Sequence, residues 1–260
     1  MLVDCHAHFE YNNGNMMMFA HHADKMLNRL DKVDCDYVIQ ATNRPLDFHP
    51  SIQAHAEYDV FPKKLYEESG GKGLSYFIYD PRVSDIDLGV IDRFHDDPAF
   101  CAIKIHPSGH GVWASDESYR PCWEAARKYD LPIMAHTWAL TSNPKQKFST
   151  PEQFVKFLEE YPDVNFIYGH SGGRTPGIKE AAEIGRTHKN AYFDMAGDVY
   201  NRHFVEFMVS KVGADHLMGG SDMPWFDLSM VIGMVLGADI TTEEKALILG
   251  GTAAKLFKLA

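Results

Sequence analysis

Short apolar runs recur along the chain, and each is followed by a polar or Gly/Pro-rich break and a helix-like stretch. The runs begin between 25 and 38 residues apart, and they are nearly continuous, as in parallel strands that are covered on both faces. They cover residues 2–8, 36–43, 74–81, 101–107, 131–137, 164–173, 191–197 and 216–224. Eight strand–helix units of this kind predict an α/β fold, a single (β/α)8 TIM barrel formed by residues 1–260. A doubly wound open sheet is the alternative, but no glycine-rich phosphate loop follows the first run to favour it.

Two segments between the runs carry signals for a helix start. Thr150 and Gln153 have the spacing of a capping box, in which two side chains hydrogen-bond each other's backbone N–H groups. Thr241 and Glu244 have the same spacing, and the helix that they begin is expected to break at Gly250-Gly251. These signals predict the helices that follow the fifth and the eighth runs.

Composition and charge narrow the class of partner. The 260 residues are 45% hydrophobic and 23% charged, which is ordinary for a soluble globular protein. The formal net charge of -11 argues against nucleic acid and an anionic membrane as partners, because both need a basic surface. The four cysteines are widely spaced without a CxxC pair, which is typical of a reduced intracellular protein. We therefore expect a cytoplasmic protein with a small-molecule substrate and no signal peptide or membrane span, in a fold class that often forms homo-oligomers.

The first run, LVDCHAH, places two histidines one residue apart. Side chains alternate along a β-strand, so Asp4, His6 and His8 would share one face and Cys5 would face the other side. Two imidazoles on one face can bind a single metal ion, although an isolated pair of histidines also occurs by chance. The residues that end the other runs distinguish between these two interpretations.

Ionisable side chains end five of the eight runs. They are His6 and His8, Lys104 and His106, His136, His170, and Asp222. In a barrel the carboxyl ends of the strands converge at one mouth, which is where active sites lie. Histidine is scarce in buried strands unless it is paired or ligated, and neutral imidazoles with one carboxylate suit a divalent ion. The sequence therefore predicts an open catalytic metal site formed by His6, His8, His136 and Asp222. In the alternative, His136 and His170 are hydrogen-bonded core residues.

Six stretches and the chain's end also match a known family in order and position. They are VDCHAH, CAIKIHP, PIMAHT, FIYGHSGG, YFDMAG and MGGSDMPW, followed by GTAAKLF, and they span residues 3 to 257. Together they resemble the amidohydrolase superfamily of metal-dependent TIM barrels. Within it they resemble the branch that holds aminocarboxymuconate-semialdehyde decarboxylase, resorcylate decarboxylases and pyrone-dicarboxylate lactonase. The resemblance implies that His6, His8 and His136 are metal ligands. It also implies that Asp222 lies on the flank of the metal and that His170 is a catalytic histidine.

Lys104 leaves the number of metal ions open. In binuclear relatives a carboxylated lysine of the fourth strand bridges two ions, and the residues at His136 and His170 hold the second ion. The branch named above generally works with one metal, so we expect a mononuclear site in which an unmodified Lys104 binds a substrate anion. Zinc is the expected ion, and manganese or nickel would suit the same ligands.

The ligand set is compatible with two reactions, and an inactive barrel is a third hypothesis. The first choice is hydrolysis of a non-peptide C–N or lactone C–O bond by a metal-activated water, with Asp222 as base and His170 as acid or carbonyl-polarising group. The alternative is non-oxidative decarboxylation at the same site, which would make the protein a lyase. The third is a catalytically inactive binding barrel, against which the complete ligand set argues.

Further side chains suggest the kind of substrate. Arg44 and Arg174 would lie at the mouth and could pair with a carboxylate, although many such arginines form salt bridges with loop acids. Trp138 could flank a planar substrate, and His106 would lie near the rim. Asp194 could face the site, or it could support a ligating histidine by accepting a hydrogen bond from its ring. Together these residues predict a small, planar, carboxylated substrate.

Overall fold

Eight parallel strands form a barrel in this computed structural model, which describes residues 1–8, 23–41, 60–141, 143–197 and 199–260. Each strand pairs with the next one along the chain, from β1 to β8. The barrel closes where the Cys5 N–H of β1 donates to the Gly219 carbonyl after β8 (3.0 Å), and where Ala7 pairs with Met223. The predicted TIM-barrel fold is therefore confirmed. The strands are β1 Val3–Ala7, β2 Tyr37–Gln40, β3 Gly73–Ile78, β4 Phe100–Ile105, β5 Ile133–His136, β6 Phe166–Gly169, β7 Ala191–Asp194 and β8 Leu217–Met218.

Helices connect the strands around the outside of the barrel. The α-helices span Ala23–Asp31, Val60–Glu68, Ser84–Phe94, Pro107–His110, Arg120–Tyr129, Val155–Glu160, Thr175–Thr187, Phe204–Val212, Leu228–Gly237, Thr242–Ala246 and Thr252–Phe257. Short 3-10 helices span Pro81–Val83, Glu117–Tyr119, Pro144–Ser149, Pro151–Phe154, His170–Gly172 and Ala214–His216, and a π-helix spans Leu247–Gly251. Within the described ranges, no helix combines the length and the apolar character that crossing a bilayer requires.

Two apolar layers explain why the strand runs are nearly continuous. Neighbouring residues of β5 divide between them, since Ile133 packs in the layer under the helices and Met134 packs inside the barrel. Phe166 and Ile167 of β6 divide in the same way. Because both faces of each strand are buried, every position favours an apolar side chain until the strand reaches the mouth.

Strand β1 departs from simple alternation, and the predicted orientation of Cys5 is wrong. The register with β2 shifts between Asp4 and Ala7, and Cys5 packs with Val3 in the interior layer. The Asp4 carboxylate instead accepts hydrogen bonds from the Ser221 N–H (2.9 Å) and hydroxyl (2.6 Å). Burial raises the pKa of Asp4 to about 7. Asp4 therefore anchors the loop after β8 to the first strand.

The helix-start signals had different outcomes. Thr241 and Glu244 form the predicted capping box. Thr150 does not, because its hydroxyl donates to the Glu152 carboxylate (2.7 Å) and residues 151–154 form a 3-10 helix.

The predicted break at Gly250-Gly251 is also wrong, because the chain continues as a π-helix into the helix that begins at Thr252. Gly250 serves a different purpose here. A Cβ atom at this position would lie 2.5 Å from the Met1 carbonyl oxygen. Glycine therefore allows the chain's start to pack directly against this segment.

A half-buried pair of carboxyl groups makes stability depend on pH. Burial and the hydrogen bond with Glu152 raise the pKa of Glu180 to about 8. The folded chain thus holds a proton that the unfolded chain releases above about pH 4.5. The contribution of this proton to the free energy of unfolding is full below that pH and is lost as the pH rises toward 8.

We expect Glu180→Gln to raise the melting temperature at pH 8.5 by about 2 °C and to change it little at pH 5.5, since Gln donates the same hydrogen bond without a proton to lose. Glu183→Gln on the same helix is the control, because Glu183 pairs with the exposed Lys211 and Arg186. Equal shifts at both pH values would contradict this account.

Candidate metal centre

The ionisable residues that end the apolar runs meet at one mouth of the barrel. His6 and His8 come from β1 and the residue after it, Lys104 from β4, His136 from β5, His170 follows β6, and Asp222 follows β8. They line a cavity of about 460 Å³ together with His106, Trp138, Gln146, Gly197, Trp225 and Phe226. The structure thus brings together residues that lie more than 200 positions apart in the chain.

Three of these side chains form a compact ligand group. The His8 Nε2 atom lies 3.1 Å from Asp222 Oδ1, and the His6 Nε2 atom lies 3.8 Å from the same oxygen. The ligand atoms of His6, His8 and Asp222 all lie within 4.8 Å of one another. A second group of the same compactness consists of His6, His170 and Asp194. His6 belongs to both groups.

Hydrogen bonds behind the imidazoles fix which ring nitrogen faces the cavity. The His8 Nδ1–H donates to the Ala41 carbonyl (2.8 Å), and the His170 Nδ1–H donates to the Ala196 carbonyl (3.1 Å). His6 Nδ1 lies 2.8 Å from the Asp194 carboxylate. Because these acceptors hold the proton on Nδ1, the Nε2 lone pairs of all three rings are left for the cavity. Burial lowers the pKa of His6 well below its ordinary value, with Lys104 and His170 adding to the effect. The ring is therefore neutral, as a metal ligand must be.

Asp222 completes the donor set from the last strand. Burial alone would raise its pKa, but the neighbouring imidazoles of His8, His170 and His6 hold the pKa below the usual range. Its backbone N–H donates to the His6 carbonyl (2.7 Å), and its φ is +61°. An ionised carboxylate facing neutral imidazole lone pairs is the donor chemistry of a divalent metal site. The described residues therefore fit a metal ion.

His136 lies beside His170 and outside the two compact groups. Its Nδ1 atom is 3.1 Å from His170 Nε2, and its Nε2 atom faces Gln146 Oε1 at 3.3 Å. Its ring stacks on His106, with ring centres 4.2 Å apart. The structure thus supports His136 as the neighbour of the metal group, with one nitrogen turned toward it.

Hydrogen bonds to the side chain and to the backbone of Asp194 hold the turn that carries His170. His170 and Ser171 both have positive φ angles (61° and 49°), a backbone conformation that residues other than glycine rarely adopt. Asp194 accepts the His170 backbone N–H (2.7 Å), and the Ser171 hydroxyl donates to the Asp194 carbonyl (2.5 Å). Strained backbone of this kind persists only where surrounding contacts hold it in place, and it is frequent at functional sites.

The family model described as amidohydrolase matches residues 3–259. This chain belongs to the amidohydrolase family. A comparison with curated proteins finds no match for this amidohydrolase.

Solved structures of several enzymes resemble this amidohydrolase in fold. A 2,6-dihydroxybenzoate decarboxylase from Rhizobium is 16% identical with a TM-score of 0.76, and the match covers 99% of this chain and 98% of that chain. A 5-carboxyvanillate decarboxylase from Novosphingobium aromaticivorans, complexed with manganese and 4-hydroxy-3-methoxy-5-nitrobenzoic acid, is 14% identical with a TM-score of 0.76 and coverages of 100% and 96%. A 4-oxalomesaconate hydratase from Rhodopseudomonas palustris is 16% identical with a TM-score of 0.74 and the same coverages. At such identities the likeness shows the fold alone.

Lys104 reaches the centre of the site in this amidohydrolase. Its Nζ atom lies 2.8 Å from His6 Nε2 and 3.3 Å from the Met134 sulfur. Burial lowers the pKa of Lys104 to about 8, against the opposing effect of Asp194 and Asp222. An amine in this position is close enough to bind a substrate anion next to the metal ligands.

The structure describes one of the two arginines that were predicted to contact the substrate. Arg174 lies over the Trp138 ring, 5.4 Å from its centre, and it is not among the described residues that line the cavity. Trp138 itself lines the cavity and is parallel to the His136 ring. Arg44 lies outside the described residues. The prediction that Arg174 contacts substrate directly thus gains no support from this geometry.

Two residues that line the cavity lie outside the stretches that sequence reasoning singled out. Phe226 follows the MGGSDMPW stretch, and Gln146 lies in the 3-10 helix Pro144–Ser149. Neither belongs to a metal-ligand motif. The one available signal was Asn143-Pro144, which marks a helix start: the Asn143 side chain accepts the Lys145 N–H at 3.1 Å.

Proposed function

We propose that this amidohydrolase is a metal-dependent, non-oxidative decarboxylase of small hydroxylated aromatic carboxylates. The observation that carries the proposal is that His6, His8 and Asp222 form a compact ligand group in a cavity walled by Trp138, Trp225 and Phe226. The decarboxylases among the solved structures of the same fold support the reaction class. Hydrolysis, which the sequence favours, is the competing hypothesis.

His6, His8, His136 and Asp222 would hold the divalent ion, and Lys104 and His170 would join them if two ions bind. When bound, the ion supplies a Lewis acid for the substrate's carboxylate and adjacent hydroxyl oxygens. Zinc is favoured by the ligand chemistry, whereas manganese is present in a solved neighbour.

The aromatic side chains would orient the substrate ring. Trp138 lies parallel to His136, and Trp225 meets His8 edge to face with ring centres 5.1 Å apart. Flat walls of this kind favour a planar substrate. The Lys104 ammonium would pair with its carboxylate, because the cavity offers that cation beside the ligand group. The substrate's scissile bond would then face Asp222.

Asp222 would carry the proton in this reaction. As an ionised carboxylate it would accept the proton of the substrate hydroxyl, and it would return that proton to the ring carbon as the bond to the carboxyl carbon breaks. The electron pair of that bond stays on the ring carbon, and the carboxyl group leaves as carbon dioxide. The His170 Nε2 atom, which carries a lone pair toward the cavity, would accept a hydrogen bond from a second hydroxyl group of the substrate. No oxidant is needed.

The reaction class is tested by the products. Metal-loaded protein is incubated with 2,6-dihydroxybenzoate, 5-carboxyvanillate and a panel of carboxylated lactones and amides, with benzoate as the control that lacks a hydroxyl. Carbon dioxide release from a hydroxylated acid supports the proposal. Ring or amide opening without carbon dioxide would establish hydrolysis in its place. Loaded protein that binds these acids without turning them over would be a binding barrel.

Metal content gives a separate prediction. We expect about one equivalent of a divalent metal per chain in protein purified without chelator, and its loss in His6→Ala, because His6 belongs to both compact ligand groups. Elemental analysis measures this directly, with His216→Ala as a control on a histidine remote from the cavity. Near two equivalents would instead indicate a binuclear site with a carboxylated Lys104. A His6→Ala variant that keeps its metal would refute the ligand assignment.

A further inference from the structure

Gln146 occupies a position that none of the metal-ligand motifs explains. It lies in the 3-10 helix Pro144–Ser149, in the connection after β5, and its side chain reaches the cavity wall. Its Oε1 atom faces His136 Nε2 at 3.3 Å. An amide oxygen can only accept a hydrogen bond, so this contact favours the His136 tautomer that has its proton on Nε2.

That single contact determines which nitrogen His136 presents to the site. The His170 Nδ1–H already donates to the Ala196 carbonyl, so the His170 Nε2 atom carries a lone pair. With its proton on Nε2, the neutral His136 ring carries its own lone pair on Nδ1, which lies 3.1 Å from His170 Nε2. Two lone pairs at this distance repel each other, and a metal ion bound at His136 Nδ1 would relieve that repulsion. The other tautomer of His136 would place a proton there instead.

Further contacts hold Gln146 in the required orientation. The Ser108 hydroxyl donates to the same Oε1 atom (3.2 Å), and Ser108 is itself hydrogen-bonded to Ser149 at the end of the 3-10 helix. Ser108 and Ser149 are buried. Because the Gln146 oxygen has a donor on each side, its amide NH2 is turned away from His136.

Stacking fixes the plane of the His136 ring but leaves its protonation open. The rings of His106, which follows β4, and Trp138, which follows β5, lie within 6° and 4° of parallel to it. A flat stack tolerates either tautomer and either flip of the imidazole. A hydrogen-bond acceptor at one edge distinguishes them.

We infer that Gln146 is the positioning residue of the metal centre: it fixes the His136 tautomer so that Nδ1 is the metal-binding atom. The inference rests on the metal site of the proposed function. It assigns the connection after β5 a part in metal affinity, through a residue that is not itself a metal ligand.

The experiment measures Mn²⁺ and Zn²⁺ affinity by competition with a chromogenic chelator, using metal-free full-length protein. We expect Gln146→Leu to bind each metal 10- to 100-fold more weakly. Gln146→Glu, which keeps an acceptor at the same place, should bind as tightly as the wild type or more tightly. Gln153→Leu is the matched control, because Gln153 lies on the next 3-10 helix and accepts from Ser115 (3.0 Å).

A second readout does not depend on metal. The ¹⁵N shifts of labelled histidine in the metal-free protein should assign His136 to the Nε2–H tautomer in the wild type and in Gln146→Glu, but not in Gln146→Leu. Wild-type metal affinity in Gln146→Leu, or equal weakening in Gln146→Glu, would overturn the inference alone. A wild-type chain that binds neither metal would overturn the proposed function as well.

Discussion

Asp222→Asn is expected to lower kcat/KM by at least about 1,000-fold while the barrel stays folded. The substitution removes the negative charge that faces His6 and His8, and with it the group that would carry the proton, whose contribution alone is typically 100- to 10,000-fold. Asparagine tolerates the left-handed backbone conformation that Asp222 adopts (φ +61°). Loss of activity would therefore reflect chemistry and not backbone strain.

The measurement combines steady-state kinetics on whichever acid proves to be a substrate with thermal unfolding. Asp215→Asn, an exposed carboxylate beside His216, is the control and should keep full activity. An Asp222→Asn variant within tenfold of the wild type would remove Asp222 from the mechanism. Because Asp222 is both a ligand and a proton carrier in the proposal, metal content should be measured in the same preparation.

The second large effect is expected at Asp194, which is fully buried. Its carboxylate accepts from His6 Nδ1 (2.8 Å), the His170 N–H (2.7 Å) and the Ala196 N–H (3.0 Å). Asp194→Ala leaves these donors without an acceptor, and we expect it to lower the free energy of unfolding by about 3–5 kcal/mol. Urea unfolding of the metal-free protein measures this value.

Asp194→Asn separates stability from metal binding. Its amide oxygen can still accept the two backbone N–H groups, so most of the stability should remain. Its NH2 group would face His6 Nδ1 and favour the tautomer with the proton on Nε2, which removes the lone pair that a metal needs. We expect metal affinity to fall about 10- to 100-fold. An Asp194→Ala variant within 1 kcal/mol of the wild type would show that these donors find other acceptors.

The sequence was sufficient for the fold because burial on both faces imposes the same pattern on every strand. Runs such as that around Ile133 and Met134 could be recognised without any partner strand. The ends of the runs also identified His6, His8 and Asp222, since buried histidines and carboxylates are unusual where apolar residues are the rule. Strand ends that meet at one mouth make such residues neighbours in any barrel.

Other features depend on contacts that no local pattern encodes. The orientation of Cys5 follows from a register shift against β2, and the role of Gly250 follows from the approach of Met1. Gln146 has an ordinary loop sequence around it, and only the tertiary structure places its oxygen beside His136. The position of Arg174 over Trp138 is likewise a tertiary contact, and the predicted contact of Arg174 with substrate stays a prediction. The sequence also could not separate hydrolysis, its first choice, from decarboxylation, because both reactions use the same ligand set.

The hydrogen bonds that close the barrel have a consequence for the order of assembly. The first and last strands meet at the ligand group, where the Asp222 N–H donates to the His6 carbonyl and the His8 N–H donates to the Met223 carbonyl (2.7 and 2.6 Å). A chain emerging from the ribosome therefore exposes both β1 histidines long before their carboxylate partner is synthesised. The complete ligand group exists only after the whole barrel is made. Under the proposed function, the full set of ligands is therefore available to a metal ion only after the last strand has been made.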